Sequence, residues 1–221
     1  MSIIDKATPR IDDRTALLLI DIQNDFCPGG ALAVPEGDRI VPVVNGLIPN
    51  FGHVILTQDW HPTNHGSFAS THGAQPFTTT RAAYGEQMLW PDHCVQGTRG
   101  AEFHPDLEVT RAELVIRKGF RPGIDSYSAF LENDQATRTG LKGYLEERGI
   151  RRLFLAGLAT DYCIAFSAID ASLAGFEVWL VKDACRGIDP AGIEQAMLRM
   201  GRHGVNFIEA AELVAYNARE A

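Results

Sequence analysis

Six short apolar runs, at 16–20, 54–57, 114–117, 153–156, 178–181 and 205–208, constrain this chain most. Several are apolar at consecutive positions, the pattern of strands covered on both faces. Between them lie stretches of helical spacing at 39–51, 137–148, 162–174 and 193–203. Gly52, Gly149, Gly175 and Gly204 follow these stretches as helix stop signals. The alternation predicts an α/β fold, a three-layer αβα sandwich with a mostly parallel sheet of about six strands and helices on both faces. A chain of 221 residues fits one domain over 1–221. Residues 60–111 break the alternation, with no long amphipathic helix and no clear strand, yet they hold five of the seven histidines. A loop of that length inside a compact domain is usually functional.

A net charge of −8 argues against a nucleic-acid or anionic-membrane partner. No apolar run approaches a membrane span, and the first ten residues lack the apolar stretch of a signal peptide. The four cysteines, at 27, 94, 163 and 185, have neither zinc-ribbon nor redox-pair spacing and are too sparse for a disulfide framework. The expectation is a cytoplasmic protein with free thiols.

Open parallel sheets bind ligands beyond the C-terminal ends of their strands. Read that way, the first strand ends in Asp21, the second in Asp59-Trp-His61, the third in Lys118, and the fourth leads into Cys163. The fifth ends in Asp183. Cys163 falls in a first helical turn with Asp161 as the N-cap, where free amides and the helix dipole favour a thiolate. By itself it reads more readily as a small buried hydrophobe, the fate of most lone cysteines. With Asp21 and Lys118 it forms a chemical trio: an ammonium to stabilise the thiolate and a carboxylate to relay its proton. Asp59 and His61, two apart in an extended segment, point the same way and can share one divalent ion. A third ligand has to come from the long loop, where His93 and His65 both stand. Zinc, manganese or iron suits such a set, and a metal-free histidine-rich loop is the bland alternative. Phe26 and Trp90 are either core aromatics or the walls of a slot for a flat ring.

Five segments then carry a resemblance: Asp-Ile-Gln-Asn-Asp-Phe-Cys-Pro-Gly-Gly-Ala-Leu-Ala-Val (21–34), Gln-Asp-Trp-His-Pro-Thr-Asn-His (58–65), Trp-Pro-Asp-His-Cys-Val-Gln-Gly-Thr (90–98), Arg-Lys-Gly (117–119) and Gly-Leu-Ala-Thr-Asp-Tyr-Cys (157–163). In order and over nearly the whole chain, they resemble the nicotinamidase/pyrazinamidase branch of the isochorismatase-like cysteine hydrolases. The resemblance implies a catalytic triad at Asp21, Lys118 and Cys163 and a metal tripod at Asp59, His61 and His93. It also implies a cis Leu158–Ala159 peptide, with the Ala159 and Cys163 amides as oxyanion hole. Phe26 and Trp90 would sandwich the ring, Tyr162 would border it, and His65 or water would complete the metal shell. The implied cofactor is one divalent ion per chain, zinc first, with iron or manganese as alternatives. The implied reaction is hydrolysis of nicotinamide or pyrazinamide to the acid and ammonia through a cysteine thioester, with the metal positioning the ring nitrogen, in NAD salvage. Members of the group occur as monomers and as homo-oligomers. The nearest rival is another isochorismatase-like amidase acting on a related small carboxamide. Two remoter ones are a metal hydrolase in which water attacks and a non-catalytic binding protein on the same fold.

Overall fold

The computed structural model of the protein describes residues 10–220, so the N-terminal stretch read above for a leader lies largely outside the described residues. The predicted strands appear as β1 (Thr15–Ile20), β2 (His53–Asp59), β5 (Leu114–Lys118), β6 (Arg152–Leu158), β7 (Glu177–Arg186) and β8 (Asn206–Ile208). A hairpin of β3 (Thr79–Ala82) and β4 (Gly85–Met88) lies apart from them. The helices are α1 (Ile40–Leu47), α2 (Leu141–Glu147), α3 (Ala165–Leu173), α4 (Pro190–Arg202) and α5 (Ala210–Glu220). The main sheet has the order β5-β2-β1-β6-β7-β8, and every neighbouring pair in it is parallel.

Consecutive apolar residues serve two cores because side chains alternate across the sheet. Leu17, Leu19, Leu56, Phe154 and Val181 pack under α1 (Val41, Val44) and α5 (Leu213). Ala16, Leu18, Ile20, Ile55 and Leu155 face α2 (Leu141, Leu145), α3 (Ala165, Ala168) and α4 (Ala196, Met200). The chain runs outward from β1 through β2 to β5, then returns to β6 and runs outward the other way. The order of the sheet therefore reverses between β1 and β6, where α/β sheets open a crevice at their C-terminal ends.

Several expectations need correction. The stretch 60–111 does contain strands: β3 and β4 are short and largely polar, so no apolar alternation betrays them. The strand expected to end at Asp183 runs to Arg186, and Asp183 instead accepts the Ala210 N–H at the start of α5 (2.8 Å). That helix, not anticipated, is alanine-rich and buries little beyond Ala210 and Leu213. The stretch 137–148 yields only α2, because Thr137 is folded against Asp134 in the preceding turn. Gly149, Gly175 and Gly204 take the positive φ of helix stop positions, whereas Gly52 does not. Among the described residues no helix is long and apolar enough to cross a membrane.

Candidate active site

The expected residues converge at the crevice. Asp21 leaves β1 with φ of 49°, and its carboxylate is held by the Thr57 hydroxyl (2.6 Å). Lys118, at the end of β5 and fully buried, places Nζ 2.8 Å from Asp21 Oδ2, 2.8 Å from Asp59 Oδ1, 2.9 Å from the Ser126 carbonyl and 3.5 Å from Cys163 Sγ. The trio is thus one contact group, and Asp59 ties it to the histidines.

Cys163 lies in a π-helical turn, Thr160–Ile164, that leads into α3. The Leu158–Ala159 peptide before it is cis. The Ala159 carbonyl accepts from the Tyr162 and Ile164 N–H groups (3.1 Å each). Gly157, with φ of 130°, lets this corner press on β1, since a Cβ there would stand 2.1 Å from the Ile20 carbonyl oxygen. One expectation fails locally. Asp161 does not cap its own helix; its carboxylate accepts from Ile188 and Asp189. The surroundings of the thiol act in opposite directions. Burial pushes it well above the ordinary value, Lys118 pulls it back, and the charges of Asp21 and Asp59 add to the rise.

The carboxylates divide the labour. Burial raises the proton affinity of Asp21 despite Lys118. Burial acts on Asp59 in the same sense, but Lys118 and then His61 outweigh it and hold Asp59 well below the ordinary range. Lys118 would be lowered by burial, yet Asp21 and Asp59 keep it charged well above its ordinary value. Asp59 is thus shifted towards its ionised form and Asp21 towards its protonated one, with Lys118 between them.

The second constellation uses the other face of Asp59. His61 Nδ1 donates to the Gly119 carbonyl (2.8 Å), and His93 Nδ1 to the Pro91 carbonyl (2.8 Å). Those bonds leave the lone pair of each ring on Nε2. The Nε2 atoms stand 3.3 and 3.7 Å from Asp59 Oδ2, and His61 Nε2 is buried with no hydrogen-bond partner. Three acceptors facing one point need a proton or a cation between them. The donor set of one carboxylate and two imidazoles fits a divalent transition ion. His65 lies tilted against His61, ring centroids 4.4 Å apart, and stays outside this tripod. Its two ring nitrogens are engaged by the Ser67 hydroxyl (2.7 Å) and the Arg121 carbonyl (2.9 Å).

Cys163, Asp59 and His93 open onto one narrow slot, walled by Phe26, Trp90 and Tyr162 as anticipated, and also by Tyr127, Asp125 and Ile188. Trp90 meets Tyr162 edge to face at 4.8 Å and donates its indole N–H to the Tyr127 hydroxyl (3.2 Å). Sequence reasoning missed Tyr127, which looks like ordinary loop composition. It also missed Gln23, whose side-chain amide brackets the Asp59 backbone by accepting its N–H (2.8 Å) and donating to its carbonyl (2.8 Å). A glutamine two residues beyond Asp21 at a buried strand end was the available signal.

A buried thiol, ammonium and carboxylate at the switch point of a parallel sheet define an α/β cysteine hydrolase. The chain belongs to the isochorismatase domain family, which it matches over residues 15–212. It is 52% identical over 201 residues to a nicotinamidase of Acinetobacter baylyi, covering 90% of this chain and 94% of the relative. Its structure is similar to that of an Acinetobacter baumannii nicotinamidase/pyrazinamidase, with a TM-score of 0.90, 52% identity and coverage of 91% and 99%. A pyrazinamidase of Pyrococcus horikoshii in complex with zinc matches with a TM-score of 0.73 and 39% identity, covering 89% of this chain and 99% of that one.

Proposed function

We propose that this chain is a nicotinamidase that also accepts pyrazinamide, releasing ammonia through a thioester on Cys163. The observation that carries the reading is the shared slot, in which Cys163 and the Asp59 and His93 members of a metal-competent cluster face one aromatic-walled space, with the Lys118 ammonium buried behind the sulfur. The high identity to a nicotinamidase supports the choice of substrate. A divalent ion held by Asp59, His61 and His93, zinc in view of the zinc-bound archaeal relative, supplies a Lewis-acidic anchor for a pyridine-type nitrogen and for water.

The remaining work falls to the chain itself. Phe26 and Trp90 take the ring between them. Asp21 accepts the Cys163 proton as sulfur attacks the amide carbon, and the N–H groups of Ala159 and Cys163 receive the oxyanion. Collapse breaks the C–N bond, and Asp21 returns the proton to the departing ammonia. Water then attacks the thioester, Asp21 takes its proton, and the acid leaves as the thiol re-forms. Lys118 keeps Asp21 and the sulfur in register and balances the charge of both carboxylates.

The test is ammonia release from nicotinamide and pyrazinamide by the metal-restored protein, beside isochorismate hydrolysis followed through its pyruvate product. Release from both amides is expected. No release from either overturns the assignment and favours another small carboxamide.

A further inference from the structure

Asp161 stands two residues before Cys163, is buried, and has no part in the chemistry above. Its Oδ1 accepts the Ile188 N–H at 3.1 Å, and its Oδ2 accepts that of Asp189 at 3.0 Å, with the Ile188 nitrogen also 3.2 Å away. Asp189 in turn caps α4, accepting the Gly192 N–H at 2.7 Å. The segment is wrapped tightly on the carboxylate. A Cβ at Gly187 would stand 3.0 Å from Asp161 Oδ1, and one at Gly192 would stand 3.2 Å from Oδ2.

Ile188, held this way, walls the catalytic slot beside Cys163 and Ala159. On another side it borders a separate cavity of about 420 Å³, lined also by Pro35, Leu180, Cys185 and Ile193. A wall residue with open space next to it is not fixed by packing alone, because packing holds a side chain only where atoms surround it. The backbone bonds to Asp161 supply what packing lacks.

We propose that Asp161 is a positioning residue that holds Ile188 against the substrate ring and so sets how tightly and selectively the slot grips that ring. The proposal rests on the reading of the slot as the site of a ring-bearing amide. Asp161 acts through Ile188 and touches neither substrate nor sulfur.

The test uses the full-length, metal-loaded protein and the substitution Asp161→Asn, which keeps the volume but turns one acceptor oxygen into a donor facing an N–H. The KM for nicotinamide should rise roughly tenfold, the scale of one lost charge-assisted bond network, while kcat stays within about threefold. Discrimination against 5-methylnicotinamide should fall. Ile188→Ala should raise KM similarly, and the double variant should be no worse than Ile188→Ala alone. A fall in kcat at constant KM, or additive losses in the double variant, would overturn the proposal. Should Asp161→Asn fail to fold, Ile188→Ala decides, since an unchanged KM there also overturns it. Nicotinate affinity by calorimetry separates the two claims. Unchanged affinity in Asp161→Asn sinks the positioning role, whereas absent wild-type turnover sinks the functional reading.

Discussion

Replacing Lys118 by methionine removes the cation that joins both halves of the site while keeping most of the side-chain volume. Its ammonium is fully buried and bonds Asp21, Asp59 and the Ser126 carbonyl. Taking one partner from a buried ionic group costs about 3–5 kcal/mol, because the charges left behind are neither solvated nor paired. In a domain of this size about 1 kcal/mol moves Tm by roughly 2–4 °C, so a fall of roughly 6–20 °C is expected at neutral pH. The loss is also pH-dependent. Asp59 in the folded protein sits well below its ordinary value of 3.8, with burial opposed by Lys118 and His61. Its contribution is therefore present above about pH 4 and lost as pH falls through the folded value. Lys118 is raised above 10.5, so its own contribution is complete below that pH and constant across the acid and neutral range. The gap in Tm between wild type and Lys118→Met, measured calorimetrically with chelator present, should be widest at pH 6–9 and narrow below pH 4. A variant as stable as wild type at pH 7, or a gap that stays flat down to pH 3, would refute the reasoning.

Two further outcomes follow from the geometry. Gly119 has φ of +64°, and a Cβ there would meet His61 Cε1 at 2.5 Å; Gly119→Ala should displace the ring whose Nδ1 the Gly119 carbonyl holds and weaken zinc binding by about 10–100-fold in a competitive chelator titration. Because burial raises the Cys163 thiol well above 9.0, its alkylation by iodoacetamide in metal-free protein should climb about tenfold per pH unit from pH 6 to 9, read by peptide mass spectrometry, whereas a plateau below pH 7 would mean a stabilised thiolate. Cys27, pushed up to about 11 by burial and Asp38, and Cys185, pushed up to about 12 by burial, are buried thiols too and should label little below pH 9.

The sheet was legible because its central strands, β1 and β6, are apolar on both faces, and that burial leaves its mark on every residue of 16–20 and 153–156. Strand ends then pointed to Asp21, Asp59, Lys118 and Cys163, since a polar residue closing a buried strand needs a reason to be there. What the sequence hid was partnership. Nothing in the spacing of residues 59 and 118 says that one carboxylate binds the lysine through one oxygen and faces two imidazoles with the other. Asp161 has the composition and place of an N-cap, and only the return of the chain after β7 shows that it serves another loop. The β3–β4 hairpin escaped notice because it is short, largely polar and held by its own cross-strand bonds, and α5 because it buries little beyond Ala210 and Leu213.

The central claim is that the Cys163 sulfur carries the acyl group. Wild-type protein mixed with nicotinamide, quenched in acid during turnover and analysed by intact-mass and peptide mass spectrometry, should carry a nicotinoyl group on Cys163 and nowhere else. Cys163→Ala should show no adduct and no ammonia release while retaining its metal. Ammonia release at the wild-type rate from Cys163→Ala would contradict the account and transfer the attack to water.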